Sequence, residues 1–316
     1  MSNMKIICDK INISFNDLKN GNCLNYDMQK IAQNITEFIP SLIEPPAEGL
    51  VVPFKQRIMS DVKNKEYWQN RQHITYTFDN GTEPGSIKNL KIDSNETFIE
   101  RLITHKKSVD NKETDYPEYW NQFQVGKSQK ENVDIRICKN NIVKYVELKV
   151  LGTSDKNGEQ SADSPFYAIV ESIKNYYLTP QPDNINELIV LAPCTYWDIY
   201  KEMIPSAENL IKELTNNLPV KITLKSINFT DEDLCKIDSV FKEYIKENII
   251  FKDGLFQSEN NRFTIEKFKR KKECKRQDQK KQYDYKIQKI MLSEVFKDKN
   301  LEKNESVEKL LEWEDV

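Results

Sequence analysis

Asp134, Glu147 and Lys149 are the residues of this chain whose types and spacing could do chemistry. They fall in ENVDIRICKNNIVKYVELKVL, residues 131–151, where Val133, Ile135 and Ile137 alternate with Asp134, Arg136 and Cys138. In the second half Val146, Leu148 and Val150 alternate with Tyr145, Glu147 and Lys149. A period of two marks a strand. Asn140 and Asn141 tolerate the positive φ values of a two-residue type I′ turn, so the runs are expected to form a hairpin with Lys139 opposite Ile142. Counting from the turn sets Cys138 against Val143, Arg136 against Tyr145 and Asp134 against Glu147 on one face, with Lys149 two positions further along. Opposed residues have Cβ atoms about 4.5–5.5 Å apart, a separation at which like charges repel. A cation would relieve them, and Mg2+ is commonly held by one or two carboxylates with water in its other positions. With Lys149 able to hold an anion or steady the attacking water, these groups suit metal-assisted hydrolysis of a phosphodiester.

The plainer reading of the same residues is an amphipathic hairpin with its charged face in water. The register also depends on the turn, because a three-residue loop would bring Asp134 opposite Val146 and turn it to the other face.

This region resembles the PD-(D/E)xK, or restriction-endonuclease-like, nuclease superfamily, in which an Asp ends one core strand, an acid-x-Lys lies on the next, and a helix and a further strand follow. GKSQKENVDIRI is similar to the family's approach to its Asp, with Gly126 in the preceding loop, and VELKV is similar to the second half. The resemblance spans roughly residues 95–228, and Val133 stands where the family's name has Pro. It implies that Asp134 and Glu147 ligate Mg2+, with Mn2+ able to substitute, that the backbone carbonyl of Leu148 is a further ligand, and that Lys149 positions or activates the water. Nucleases resembling the RecB group carry a Gln and, four residues on, a Tyr on the following helix; here Tyr176 is preceded by Ser172 with Glu171 beside it, so that subgroup's pattern is not met. The implied fold is α/β, a restriction-endonuclease-like mixed sheet flanked by helices. The implied activity is a metal-dependent endonuclease with DNA favoured over RNA, in a restriction or anti-phage setting, working as a homodimer or with a helicase or regulatory partner. The alternative is a non-catalytic nucleic-acid-binding or partner-assembly subunit that keeps the fold.

Charged residues make up 31% of the 316 and hydrophobic ones 38%, which suits a soluble protein with a proper interior. The net charge of −3 places any nucleic-acid contact in local patches. No apolar run approaches membrane-spanning length, and the start MSNMKIICDKINI lacks a signal-peptide pattern, so no membrane partner and a cytoplasmic location are expected. Six cysteines without a C-x-x-C pair and two histidines, His73 and His105, argue against a zinc site or a disulfide framework.

Composition and the resemblance together divide the chain into an N-terminal α+β extension over 1–93, a core over 94–250 that the resemblance implies is nuclease-like, and a charged helical C-terminal region over 251–316. In the first, KIICDKINISF reads as strand-like, NYDMQKIAQNITEFIPSLI as a helix, PFKQRIMSDVKNKEYWQNRQ as a second helix and HITYTF as a strand with His73 on it. In the core, SNETFIERLITHKK is an amphipathic helix whose Glu96 and Glu100 are read as solvated and whose His105 lies on its surface. QFQVGKSQK supplies a first strand with Lys127 and Lys130 near enough to the hairpin to meet a phosphate backbone. PFYAIVESIKNYYL is a helix starting at Pro165, ELIVLAP a strand buried on both faces, and AENLIKELTNNL with VKITLKSI completes a parallel β-α-β unit. Residues 262–289 hold twelve Lys/Arg against four acids, a run that suits contact of Lys269, Arg270, Lys271 and Lys272 with nucleic acid, and equally a solvated helix or an arm that docks on an acidic partner. Residues 293–316 hold eight acids against four lysines and are expected to fold over that basic stretch.

Overall fold

The computed structural model describes residues 3–43, 72–81, 83, 85–110, 118–126, 131–151, 163–179, 184–269 and 283–316. The expected second N-terminal helix, Lys127, Lys130, Arg270, Lys271 and Lys272 lie outside them.

The chain begins with three helices, α1 (Asn3–Ile11), α2 (Phe15–Asn20) and α3 (Met28–Leu42). The strand expected at the start is therefore a helix. Met4, Ile7, Cys8 and Ile11 recur at helical spacing and are all buried, and that period prevails over the β-branched residues between them. Ser14 caps α2, Gly21 ends it at φ 80, and Asp27 caps α3 by accepting the amides of Gln29 and Lys30. There follow β1 (His73–Asn80), β2 (Ile87–Ile92), α4 (Asn95–Asp110), β3 (Tyr119–Gln124), β4 (Asn132–Lys139), β5 (Ile142–Leu148), α5 (Pro165–Leu178), β6 (Ile185–Pro193), α6 (Cys194–Ile199), α7 (Ile204–Thr215), β7 (Lys221–Ile227) and α8 (Asp231–Asn248). The last part holds β8 (Ile249–Lys252), β9 (Leu255–Ser258), β10 (Thr264–Lys269), β11 (Tyr283–Met291), α9 (Leu292–Asp298), α10 (Glu305–Glu308) and β12 (Trp313–Asp315).

A six-stranded mixed sheet in the order β12-β7-β6-β5-β4-β3 runs through the middle, with β5, β6 and β7 parallel and the other neighbours antiparallel. Strand β6 shows why: Leu188, Val190 and Ala192 face one buried cluster while Ile189 and Leu191 face another. The first cluster is closed by α1, α2, α3, α5, α6 and α7, the second by α4, α8 and a four-stranded antiparallel sheet, β10-β11-β1-β2. That second sheet joins the two ends of the chain, since β1 pairs with β11 from His73–Met291 to Asp79–Asp284. Phe78 and Tyr285 stack across it at 4.9 Å.

The region after residue 251 is therefore not simply helical. Tyr285 and Ile287 alternate with charged residues at period two, and Lys269 ends β10 at an open sheet edge rather than on a helix. Nor is the acidic C-terminal segment a detachable cover. Val295, Phe296, Val307 and Leu310 are buried in the second cluster, Trp313–Asp315 adds a strand to β7, and Asp315 pairs with Lys225 at 2.7 Å. It meets the stretch 262–289 through the second cluster, which holds Phe263, Tyr285 and Ile287, and through the Arg262–Asp298 ion pair.

Helix α4 is consequently packed from both sides. Its His105 is buried with its ring edge-on to Phe296 at 4.6 Å, so the expectation of a surface histidine fails. Burial and the neighbouring Lys106 pull the imidazole down to a pKa of about 4, so the folded protein binds fewer protons here than the unfolded chain. Its contribution to stability is complete above pH 6.5 and is lost as pH falls toward 4, about 3 kcal/mol in all. Chemical denaturation of wild type and His105→Phe at pH 4, 5, 6 and 7 should show the variant gaining relative stability as the medium becomes acidic; parallel pH profiles would contradict this.

Candidate active site

The hairpin forms in the expected register. Asn140 and Asn141 take φ of 51° and 64°, and the pairs run from Lys139–Ile142 through Cys138–Val143 and Arg136–Tyr145 to Ile135–Val146. The ladder stops one step short of Asp134 and Glu147. There the strands part, because the Leu148 N–H donates at 2.8 Å to Asp134 Oδ2 while Lys149 N turns to the carbonyl of Leu191 on β6 at 2.9 Å. Leu148 itself is fully buried in the second cluster, which fixes the end of β5.

Asp134, Glu147 and Lys149 thus meet where β4 separates from β5, and Glu147 and Lys149 are each only 6% exposed. Lys149 Nζ donates to Glu147 Oε1 at 2.7 Å and to Glu171 Oε2 at 3.1 Å. The charged hairpin face is not in water, so the plainer reading does not describe it.

Two helices bring further groups. On α5, Glu171 and Asn175 are one turn apart and share a side. Asn175 Nδ2 donates to the Asn132 carbonyl at 3.2 Å and to Glu147 Oε2 at 3.4 Å, and Lys174 Nζ lies 3.5 Å from Glu171 Oε1. Helix α5 starts in a fixed place because Ser164 caps it by accepting the Tyr167 amide at 3.2 Å, while its own N–H donates at 2.8 Å to the carbonyl of Lys19 on α2. On α4, Glu96 and Glu100 are likewise one turn apart, and both were read from sequence as solvated. Glu100 is instead 1% exposed and accepts Gln122 Nε2 at 2.6 Å. The same Nε2 reaches Asp134 Oδ1 at 3.2 Å, so Gln122 bridges the two carboxylates from a left-handed backbone position, φ 48°. That conformation costs on the order of 1 kcal/mol for a residue other than glycine, and in this fold it aims the amide between two acids. A helical wheel misses Glu100 because its stripe, Phe98, Ile99, Leu102 and Ile103, describes one packed side; β3 and β4, through Gln122 and Asp134, cover the side that carries Glu100.

The electrostatics follow from burial. Removal from water pushes Glu147 and Glu100 well above the usual carboxylate range, and in both the Asp134 charge adds to the effect. Burial also raises Asp134, opposed by Lys149 and by the Leu148 N–H, and raises Glu96 to about 7 with Asp134 repelling it. Burial pushes Glu171 the same way but is outweighed by Lys149 and Lys174, which pull its carboxyl down to about 2. For Lys149, burial alone would favour the neutral amine; Glu147, Glu171, Asp134 and Glu96 together hold it as an ammonium.

Whether these residues suit a divalent cation can be judged from their spare acceptors. Among the described residues Gln122 and the Leu148 N–H donate to Asp134, Lys149 and Asn175 donate to Glu147, and Glu147 also meets the Glu171 carboxyl, while a carboxylate oxygen has two lone pairs to offer. Asn175 Oδ1 and Ser172 Oγ are buried with no hydrogen-bond partner among the described residues. No group of three or more His, Cys, Asp or Glu side chains placed to hold a metal ion occurs among the described residues. Two carboxylates with water are the usual protein share for Mg2+, and the pair Asp134 and Glu147 fits that donor set.

Compared with protein-family models, with curated proteins and with solved structures, the chain matches none. No helix among the described residues is long and apolar enough to cross a membrane.

The upward shift of Glu96, caused by burial and then by Asp134, is measurable. A carboxyl whose folded pKa is raised stabilises most below its unfolded value near 4.5 and loses that contribution as pH rises through about 7. In metal-free buffer Glu96→Gln should therefore match wild type in stability at pH 4.5 and exceed it above pH 7, by on the order of 2 kcal/mol. Equal stabilities at both pH values would show that neither burial nor Asp134 raises the Glu96 carboxyl.

Proposed function

We propose that this protein is a Mg2+-dependent nuclease that hydrolyses phosphodiester bonds, with DNA favoured over RNA as substrate and Mn2+ able to replace Mg2+. The observation that carries the reading is the meeting of Asp134, Glu147 and Lys149 at the point where β4 and β5 part, beside buried acids that repel one another. Asp134, Glu147 and the backbone carbonyl of Leu148 are the groups assigned to the cation. When bound, Mg2+ would lower the pKa of a water and offset charge developing on the phosphoryl oxygens. The Lys149 ammonium supplies a fixed positive charge for an anionic oxygen or for orienting the attacking water. Gln122 and the Leu148 N–H hold Asp134, Asn175 holds Glu147, and their shared burial keeps these charges in a medium of low dielectric, where they act more strongly than in water. The resemblance to the PD-(D/E)xK superfamily supports the same roles.

A non-catalytic subunit is the second reading, favoured by one observation: Lys149 already occupies Glu147 Oε1, an arrangement that also serves as a plain buried ion pair. Cleavage of supercoiled plasmid, linear duplex, single-stranded DNA and RNA with Mg2+ or Mn2+ separates the two. Wild type should cut, and Glu147→Ala and Lys149→Ala should each lose at least about a hundredfold in rate, the scale of a lost electrostatic partner at a reacting centre. Wild type inactive on every substrate, or variants that cut as well as wild type, would remove the nuclease assignment.

A further inference from the structure

Lys149 stands between carboxylates on two different elements. Its Nζ donates to Glu147 Oε1 at 2.7 Å at the end of β5 and to Glu171 Oε2 at 3.1 Å on α5. Glu147 is the residue assigned above to a cation, and an ammonium and a divalent ion compete for the same oxygen. Were Glu147 the sole partner of Lys149, the contact pair would oppose metal binding, because separating it would leave a buried ammonium without an anion.

Glu171 removes that difficulty. Its second oxygen is 3.5 Å from Lys174 Nζ, and its helix is anchored at the N-terminus through Ser164 to Lys19. An ammonium has three donors, so Lys149 can stay on Glu171 when it leaves Glu147. Asn175, one turn further along α5, holds Glu147 Oε2 at 3.4 Å and keeps that carboxylate oriented once the ion pair opens.

We propose that Glu171 is a positioning residue that holds the Lys149 ammonium from the helix side, so that Glu147 is released to a divalent cation while Lys149 remains beside it. The proposal rests on the nuclease reading and makes α5 part of the site's working parts. It also accounts for the Glu171 and Lys174 pair on a helix whose neighbouring positions, Ile169, Val170, Ser172 and Ile173, are buried.

Mn2+ binding to the full chain, without substrate and followed by the electron paramagnetic resonance signal of the free ion, tests it directly. Wild type should bind, and Glu147→Gln should not. Glu171→Gln should bind about tenfold more weakly than wild type, the usual loss on removing a group that orients a ligand, measured at a temperature where circular dichroism shows the variant still folded, since loss of a Lys149 partner lowers its melting temperature. Glu171→Asp should recover part of the loss. In a Lys149→Met background, Glu171→Gln should have no further effect, because the residue it restrains is gone. If that background does not fold, Lys149→Ala, which likewise removes the donor, replaces it. Equal Mn2+ affinity in wild type and Glu171→Gln overturns the proposal while leaving the nuclease reading standing. An equal loss with and without Lys149 also overturns it, by making Glu171 a direct ligand. No binding by wild type overturns the metal assignment at Asp134 and Glu147, and this proposal with it.

Discussion

Buried negative charge at the parting of β4 and β5 is the constraint around which this protein is arranged. Glu100, Asp134, Glu147 and Glu171, with Glu96 beside them, gather near one buried ammonium, Lys149, and one partly buried ammonium, Lys174. Acids withdrawn from water and facing one another cannot all ionise cheaply, and the upward displacement of Glu96, Glu100, Asp134 and Glu147 expresses that excess. Protons or a cation must make up the difference. Apolar side chains would be the more stable filling there, and this excess of acids is the feature on which the proposed cation site rests.

The rest of the architecture holds these groups against their repulsion. Helix α4 carries Glu96 and Glu100 and is pressed onto the sheet by α8, α9 and the segment around Val307 and Leu310. Helix α5 carries Glu171, Lys174 and Asn175 and is fixed at its start by the end of α2. Gln122, in a left-handed conformation on the edge strand β3, ties the α4 side to Asp134. Both ends of the chain therefore serve the centre. The N-terminal helices close one face of the six-stranded sheet, and the C-terminal segment closes the other through the sheet it shares with β1.

Lys149 links the acids of the hairpin to those of α5, which gives the site a way to exchange partners without exposing a bare charge. In an interior of low dielectric an ion pair opens readily only when another partner is at hand. The Glu147–Lys149–Glu171 arrangement supplies one within 3.1 Å. The same geometry explains why a lysine this well buried stays charged.

Local information was enough for several parts of this protein. The Asn140–Asn141 turn and the alternation around it determined the hairpin, its register as far as Ile135–Val146, and the side on which Asp134, Glu147 and Lys149 lie. The continuous apolar run of β6 determined a strand covered on both faces, and Pro165 marked the start of α5. These features depend on neighbours a few residues apart, where sterics and side-chain period decide the outcome. Tertiary structure alone decided the rest. Glu100 is buried because β3 and β4 cover its side of α4, and His105 because the opposite side is covered by a segment about 200 residues further along the chain. Glu171 meets Lys149 because α5 crosses the end of β5, and Gln122 meets Glu100 because β3 bends beneath α4. The end of the chain holds strands β10 and β11 because β1 offers an edge for β11 to pair with. A sequence pattern records which side of an element is apolar; what covers the other side, and which charges meet there, depends on contacts between distant segments, to which no local period responds.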